Sequence, residues 1–246
     1  MENYKLIQNQ IVKPTISQPF LTINIRSVNK VFPGFALGDF AVLQGPSSVS
    51  SLASLLCVRA QLPIQIGGLQ SNVIFVDGGN TFRLYQIAQL SRMHQLNPKQ
   101  ILDNIYISRA FTAYQETQLI THKLKEAIKK YNAKIVIVSD IAGFFLDKDI
   151  PENEAQRIYN QITTYLSNFA RESQTIVIAT YPQHPNTARN NYLQTSLCNR
   201  VNVVISLRKT SCSRQFVLEK HPYLPLGCAE LLSEGVTLTD FVGASA

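Results

Sequence analysis

The chain has 246 residues, a formal net charge of +7 and an isoelectric point near 9.3. Apolar residues make up 45% and charged residues 16%, which excludes a disordered chain and supports one large core. No apolar run reaches the length of a membrane span and no signal peptide opens the chain, so we expect a soluble, unexported protein without membrane contact. On charge alone, a nucleic-acid partner and an ordinary basic surface remain equally open.

Seven apolar runs predict β-strands, at residues 40–44, 72–77, 104–108, 134–139, 175–180, 201–207 and 215–220. Several are near-continuous Val and Ile runs, which is typical of parallel strands covered on both faces. Apolar residues three and four positions apart predict helices within 119–131 and 158–170, and Asn97 before Pro98 predicts a helix start. This alternation favours a doubly wound α/β sheet, whose ligands bind beyond the carboxyl ends of the strands.

Residues 1–20 show no clear period, so we predict an N-terminal arm there and one core domain over residues 21–246. The four cysteines and four histidines show no spacing typical of metal ligands. We therefore expect reduced thiols and no metal site.

The stretch from residue 41 to 56 has the frame of a phosphate-binding loop between a strand and a helix. The candidate loop consists of Gly45, Pro46, Ser47, Ser48, Val49, Ser50 and Ser51. A working loop of the form G-x-x-x-x-G-K-[ST] binds phosphates through backbone N–H groups and a lysine, and Mg²⁺ through a hydroxyl. Here the second glycine and the lysine are absent, and no lysine occurs between Lys30 and Lys99. The sequence therefore argues against a nucleotide-driven motor.

Further motifs make a family resemblance specific. They are Gln61-Leu62-Pro63, Gly67-Gly68-Leu69, residues 73–77, Asn80-Thr81-Phe82-Arg83, residues 103–111 and 115–119, and later residues 207–209 and 221–225. In order and spacing, the chain resembles archaeal RadA and its eukaryotic recombinase counterparts over roughly residues 25–242. The resemblance implies a RecA-like P-loop fold, with a mainly parallel central sheet flanked by helices and a C-terminal antiparallel extension. It also implies a family that polymerises on DNA with ATP between subunits.

Two departures from the family pattern concern the phosphates and the attacking water. Depending on the alignment, Ser51 or Val49 stands where the family has its lysine, and neither supplies a cation. The family places a glutamate two residues after the strand-end aspartate, which is Asp77 here. That position is Gly79, which has no side chain to orient a water molecule.

Two more departures concern the metal and the γ-phosphate. The family has an aspartate followed by a serine at the end of the strand, whereas this chain has Ser139 followed by Asp140. A shift of one residue turns a side chain to the opposite face of a strand, although Asp140 could serve if the strand ends early. Tyr181 occupies the position of a glutamine that senses the γ-phosphate. Together the departures predict a pseudo-ATPase without ATP as a cofactor.

The resemblance also implies two DNA-binding loops. The first corresponds to residues 147–154, which carry four acids against one base and would repel phosphate. The second, residues 182–192, keeps Arg189 and Tyr192, which could contact a backbone or stack on a base. An Asn-rich surface loop is an equally open interpretation. Arg208 and Lys209 form another candidate DNA contact, or simply part of a charged hairpin.

We therefore predict a non-catalytic RadA-like paralogue that assists homologous recombination or DNA repair. Its predicted partner is a recombinase or a related paralogue, with single-stranded or double-stranded DNA as a further candidate. One alternative is a weak or partner-dependent, DNA-stimulated ATPase of the RecA family, and another keeps nucleotide as a structural ligand without hydrolysis. The expected location is the cytoplasm, at the nucleoid, or the nucleus in a eukaryote. The arm lacks the family's F-x-x-A polymerisation motif, which argues against self-filaments.

Overall fold

A computed structural model describes residues 20–209 and 213–231 of the chain. Its strands are β1 (Phe20–Leu21), β2 (Phe35–Ala36), β3 (Phe40–Gly45), β4 (Asn72–Asp77), β5 (Ile105–Arg109), β6 (Ala133–Ser139), β7 (Ile176–Pro182), β8 (Val203–Lys209), β9 (Arg214–Lys220) and β10 (Gly227–Leu231). Its helices are α1 (Arg26–Asn29), α2 (Ser48–Arg59), α3 (Leu84–Met93), α4 (Pro98–Asp103), α5 (Ala113–Gln118), α6 (Leu124–Lys130), α7 (Glu152–Ser173) and α8 (Ala188–Arg200). A π-helical segment, Leu119–Lys123, joins α5 to α6, and single 3₁₀ turns lie at Ile64–Ile66 and Gly143–Leu146.

The central sheet has the strand order β10-β9-β8-β3-β7-β6-β4-β5. The strands from β8 to β5 are parallel to one another, and β9 and β10 add to β8 in antiparallel pairs. Short strands β1 and β2 form a separate antiparallel pair. The predicted fold class is therefore confirmed: a mainly parallel sheet flanked by helices, with an antiparallel extension at its C-terminal side.

Both faces of the sheet are buried, as the continuous apolar runs predict. Within β6, Ile135 and Ile137 pack into the layer that contains α2, α3 and α4, whereas Val136 and Val138 pack into the layer of α5 to α8. All four side chains are fully buried. Because successive side chains of a strand point to opposite faces, one Val/Ile run supplies both core layers.

The seven predicted strands are all present, with ends that differ by at most two residues. The sequence did not predict β1, β2 or the edge strand β10, since two-residue strands and a mixed run such as Gly-Cys-Ala-Glu-Leu carry little periodic signal. Phe20, which we assigned to the arm, pairs with Ala36 in the β1–β2 ribbon. Residues 1–19 of the predicted arm and residues 232–246 of the predicted core lie outside the described residues.

The helices are longer than their apolar stripes predict. The helix expected within 158–170 runs from Glu152 to Ser173, so residues 152–154 of the acidic segment 147–154 lie in the first turn of α7 and not in a loop. Asn97 caps α4 as predicted, since its side chain accepts a hydrogen bond from the Lys99 N–H. Among the described residues, no helix has both the length and the apolar character needed to cross a bilayer.

Candidate functional site

The candidate site lies beyond the carboxyl ends of β3, β4, β6 and β7, which end at Gly45, Asp77, Ser139 and Pro182. These strands are neighbours in the sheet and parallel, so their ends bring the predicted site residues to one edge. The contacts among the residues at this edge determine which groups remain free to bind a ligand.

The phosphate loop is closed on itself. Strand β3 ends at Gly45 and α2 already begins at Ser48, which leaves two residues between them. The N–H of Val49 donates to the Pro46 carbonyl at 3.0 Å, and the N–H of Ser50 donates to the Ser47 carbonyl at 3.1 Å. Two N–H groups of the first helical turn are thus already used, so the loop lacks the open cradle of donors that phosphates need.

Neither candidate for the lysine position offers a substitute cation. The Val49 side chain, in the first turn of α2, is fully buried in the core, whereas Ser51 is exposed at the site. Gly45 has φ +134°, and a Cβ built on it would lie 2.2 Å from the Leu207 carbonyl oxygen of β8. The start of the loop is therefore pressed against the neighbouring strand and requires glycine.

Asp77 is fully buried and saturated by protein donors. Its Oδ1 accepts hydrogen bonds from the Thr81 N–H at 2.8 Å and the Ser139 hydroxyl at 2.9 Å. Its Oδ2 accepts from the Arg109 guanidinium, with Nη2 at 3.1 Å. Magnesium needs a carboxylate oxygen with a free lone pair and an open approach, and Asp77 presents neither.

Asp140 fills the space beside Gly79. It follows the end of β6 with φ +48°, and its Oδ1 lies 2.8 Å from Nε2 of His184. A Cβ built on Gly79 would lie only 2.6 Å from the Asp140 Cβ and 2.9 Å from Cγ2 of Thr81. No side chain fits at residue 79 without movement of Asp140, so the absence of the family's glutamate is linked to this packing.

Tyr181 is buried, and its hydroxyl donates to the side-chain oxygen of Asn190 in α8. Its ring meets the His184 ring edge-to-face, with centroids 5.7 Å apart. Burial raises the pKa of the Tyr181 phenol, so the group stays neutral. The predicted γ-phosphate sensor position therefore belongs to the core contacts between β7 and α8.

Sequence reasoning missed Glu116. This α5 side chain is fully buried, and neither carboxylate oxygen has a hydrogen-bond partner within the described residues. Burial, reinforced by the charge of Asp140, raises the pKa of Glu116 well above its ordinary value of 4.5. The available signal was its position, because Glu116 shares one helical stripe with buried Ala113 and Ile120.

The candidate DNA residues fall into two groups. Arg189 is half-buried, and its Nη1 donates to the Ile150 carbonyl at 3.0 Å, while the Tyr192 hydroxyl accepts from the Asn160 amide at 2.8 Å. Both side chains are thus engaged with α7 or the segment before it. Arg208 and Lys209 are exposed at the end of β8, away from those contacts.

A cavity of about 970 Å³, which we call the loop-side cavity, lies beside the closed phosphate loop. Its walls come from the loop, α1, α2, α3 and strands β8 to β10. Apolar side chains cover much of the walls: Ile23, Ile25, Leu52, Leu55, Leu90, Leu207, Phe216 and Leu231. Five basic side chains also line it: Arg26, Lys30, Arg208, Lys209 and Arg214.

In the part of the chain that the structure describes, no group of three His, Cys, Asp or Glu side chains could hold a metal ion.

Arg208 is held in place at this cavity by a network that reaches β3. Its guanidinium pairs with Glu219 of β9, whose Oε2 accepts from Gln44 Nε2 at 2.8 Å. Gln194 of α8 donates to Gln44 Oε1 at 3.0 Å. The residue before Gly45 thus connects the closed loop to the basic lining of the cavity.

A comparison with models of protein families matches residues 36–192 to the family described as Rad51. The match covers more than half of the chain. The chain belongs to the Rad51 family. Membership supports a role in recombination and repair at the level of the family, and interactions with recombinases and DNA in general. The Rad51 match contains the closed loop, Asp77, Asp140 and Tyr181, whereas Arg208 and Lys209 lie beyond it.

The Rad51-family resemblance implies ATP and magnesium at this edge of the sheet, and the residues present do not fit them. The Val49 and Ser50 N–H groups of the loop are used internally, Asp77 has its lone pairs filled, and Asp140 occupies the space beside Gly79. No hydrolytic step is therefore assigned to these residues.

We expect Gly79→Ala to lower the free energy of unfolding by about 1–3 kcal/mol, because the new methyl group meets the Asp140 Cβ. Adding Asp140→Gly should restore part of this loss, since it removes the opposing atom at a position with positive φ. Urea unfolding of both single variants and the double variant measures the coupling. Purely additive effects would show that the contact is not the cause.

The raised pKa of Glu116 predicts a pH-dependent stability. The folded protein binds this proton more tightly than the unfolded chain, so stability falls as pH rises above 4.5 through the window up to the folded pKa. Glu116→Gln removes that loss. At neutral pH we expect the melting temperature of the variant to exceed that of the parent, by about 2–4 °C for each kcal/mol of stability gained. Near pH 4.5, where Glu116 is protonated in the folded parent, we expect the two proteins to melt at the same temperature.

Thermal melting across this pH range measures the Glu116 effect, with Glu126→Gln as the matched control. Glu126 is exposed on α6, so its variant should follow the parent at every pH. A stabilisation of Glu116→Gln that does not change with pH would assign the effect to packing instead of protonation.

Proposed function

We propose that this chain is a non-catalytic member of the Rad51 family that assists homologous recombination or DNA repair. In this proposal it binds a recombinase or a related paralogue, with DNA as a further candidate partner. The observation that carries the proposal is the closed phosphate loop, whose first helical N–H groups bond to the Pro46 and Ser47 carbonyls. No lysine between Lys30 and Lys99 can complete that loop from within.

Phosphoryl transfer depends on positioned charge, so the loss of these groups removes most of what such a site contributes. A lysine and backbone donors neutralise the phosphates, a carboxylate holds magnesium, and a further residue positions water. In this chain Ser51 or Val49, Ser139 and Gly79 stand at those positions. Losing one charge-assisted hydrogen bond alone costs about 1.5–3 kcal/mol.

A binding role is consistent with the family core and the basic charge of this chain. The core that matches the family is complete from β2 to the start of α8, with both faces of the sheet covered. The net charge of +7 favours an acidic partner, and nucleic acid is one such partner. We accordingly propose a location with the recombination machinery, at the nucleoid or in the nucleus, and no nucleotide cofactor.

We expect no turnover of MgATP, with or without single-stranded DNA, above that of a protein-free blank measured in parallel. We also expect millimolar ATP to leave the melting temperature unchanged. Ligand at about 100 times Kd would stabilise by about 2.7 kcal/mol, which corresponds to roughly 5–10 °C for a chain of this size. Clear DNA-stimulated turnover would refute the pseudo-ATPase, and a melting shift without turnover would indicate a structural nucleotide.

The accessory role predicts that affinity purification of the chain from its native cell recovers a recombinase or a related paralogue. The association should survive nuclease treatment, because the proposal places it in protein contacts and not in shared DNA. Recovery of an unrelated complex in place of recombination proteins would overturn the proposed role.

The second candidate function is a weak, DNA-stimulated ATPase that uses a cation from another segment. The observation in its favour is the set of basic side chains in the loop-side cavity beside Ser47, Ser48 and Ser51. If this candidate were correct, any turnover would disappear in Lys209→Ala or Arg214→Ala and persist in Lys148→Ala, which changes an exposed lysine outside the cavity.

A further inference from the structure

We infer that the loop-side cavity binds an acidic peptide segment of a partner protein, which inserts apolar side chains between the cavity walls. This inference rests on the proposed function, because it assigns a partner to a surface that the proposal leaves without ATP chemistry. It specifies the chemistry of that partner and the residues that recognise it.

The apolar walls of the cavity favour a ligand with apolar side chains. Leu52, Leu55 and Leu90 come from α2 and α3 on one side, and Leu207 and Phe216 come from β8 and β9 on the other. The volume of about 970 Å³ exceeds that of any single side chain and lies at the upper end of the usual range for ligand sites. The half-buried side chains of Ile25 and Leu231 also line the cavity, so a peptide that places Leu or Phe side chains here removes apolar surface of both partners from water.

The basic side chains that line the cavity favour a ligand with negative charge. Arg26, Lys30, Lys209 and Arg214 are exposed among the lining residues, and Arg208 is fixed by Glu219 with 58% of its side chain accessible. Among the described residues that line the cavity, Glu230 is the one acid. Basic groups around an apolar centre complement a segment in which Asp or Glu alternates with apolar residues, and they also speed its association.

The same lining disfavours nucleotides and nucleic acid. Bases bind to proteins largely by stacking on accessible aromatic rings. Phe216 is the one aromatic residue among the described lining residues, and it is 1% exposed. The phosphates of a nucleotide would meet the closed loop, where the Val49 and Ser50 N–H groups already have acceptors. A peptide needs neither feature.

Fluorescence anisotropy with a labelled peptide of about twelve residues, in which Asp and Glu alternate with Leu and Phe, tests the inference. One comparison peptide carries Lys in place of the acids, and another carries Ser in place of Leu and Phe. At about 150 mM KCl, where the screening length is about 8 Å, we expect the full peptide to bind about tenfold or more tightly than either comparison peptide.

Variants locate the binding. Arg214→Glu and Leu52→Lys should each weaken binding about tenfold, whereas Lys148→Glu, an equal change of charge at an exposed residue outside the cavity, should have less than about a twofold effect. Circular dichroism and melting temperature establish that each variant is folded. Equal losses in Arg214→Glu and Lys148→Glu would mean unspecific charge attraction and would overturn the inference.

Competition identifies other occupants. Displacement of the peptide by millimolar ATP or by oligothymidine would assign the cavity to a nucleotide or to nucleic acid. Self-association of the chain that Arg214→Glu abolishes would assign the cavity to a second copy. Each result overturns the inference. ATP turnover would refute the proposed function, whereas failure of peptide binding in a chain without turnover refutes this inference alone.

Discussion

A buried carboxylate, Asp77, holds together the strand ends that form the candidate site. Through its two oxygens it links the end of β4 to Ser139 of β6, to Arg109 of β5 and to the Thr81 N–H. A carboxylate without solvent is stable only where donors surround it, so these contacts are a condition of the fold. The same contacts leave no lone pair directed at a metal ion. Stability of this edge and metal binding thus compete for one side chain.

The sequence was sufficient for the fold because its signal is local. Val and Ile runs such as residues 135–138 place strands, and their continuous apolar character predicts burial on both faces. The identities of Gly79, Ser51 and Tyr181 were equally visible, because a missing functional group needs no coordinates to be noticed. The identity of a residue is enough to predict that a functional group is absent from its position. The contacts in the structure then give the physical reason for that absence.

The rest of the site depends on contacts between residues far apart in sequence. The φ of +48° at Asp140, which turns its side chain toward Gly79 and His184, cannot be read from the order Ser139-Asp140. The burial of Glu116 depends on α5 docking against the sheet edge, and the cavity on the meeting of α1, α2 and β8 to β10. Local sequence patterns carry no information on contacts between residues that are far apart in the chain. The burial of Glu116 was therefore indicated only by its place on a helical stripe of buried residues.

The contacts also explain why the proposed absence of ATP chemistry does not rest on one residue. A lysine at residue 51 would extend from an exposed position, but the loop beside it would still have its Val49 and Ser50 N–H groups bonded internally. A glutamate at residue 79 would collide with Asp140, whose own position is fixed by His184. Each repair therefore requires a second change elsewhere. Under the proposed non-catalytic role, these separate obstacles make the remaining surfaces of the chain the better guide to its function.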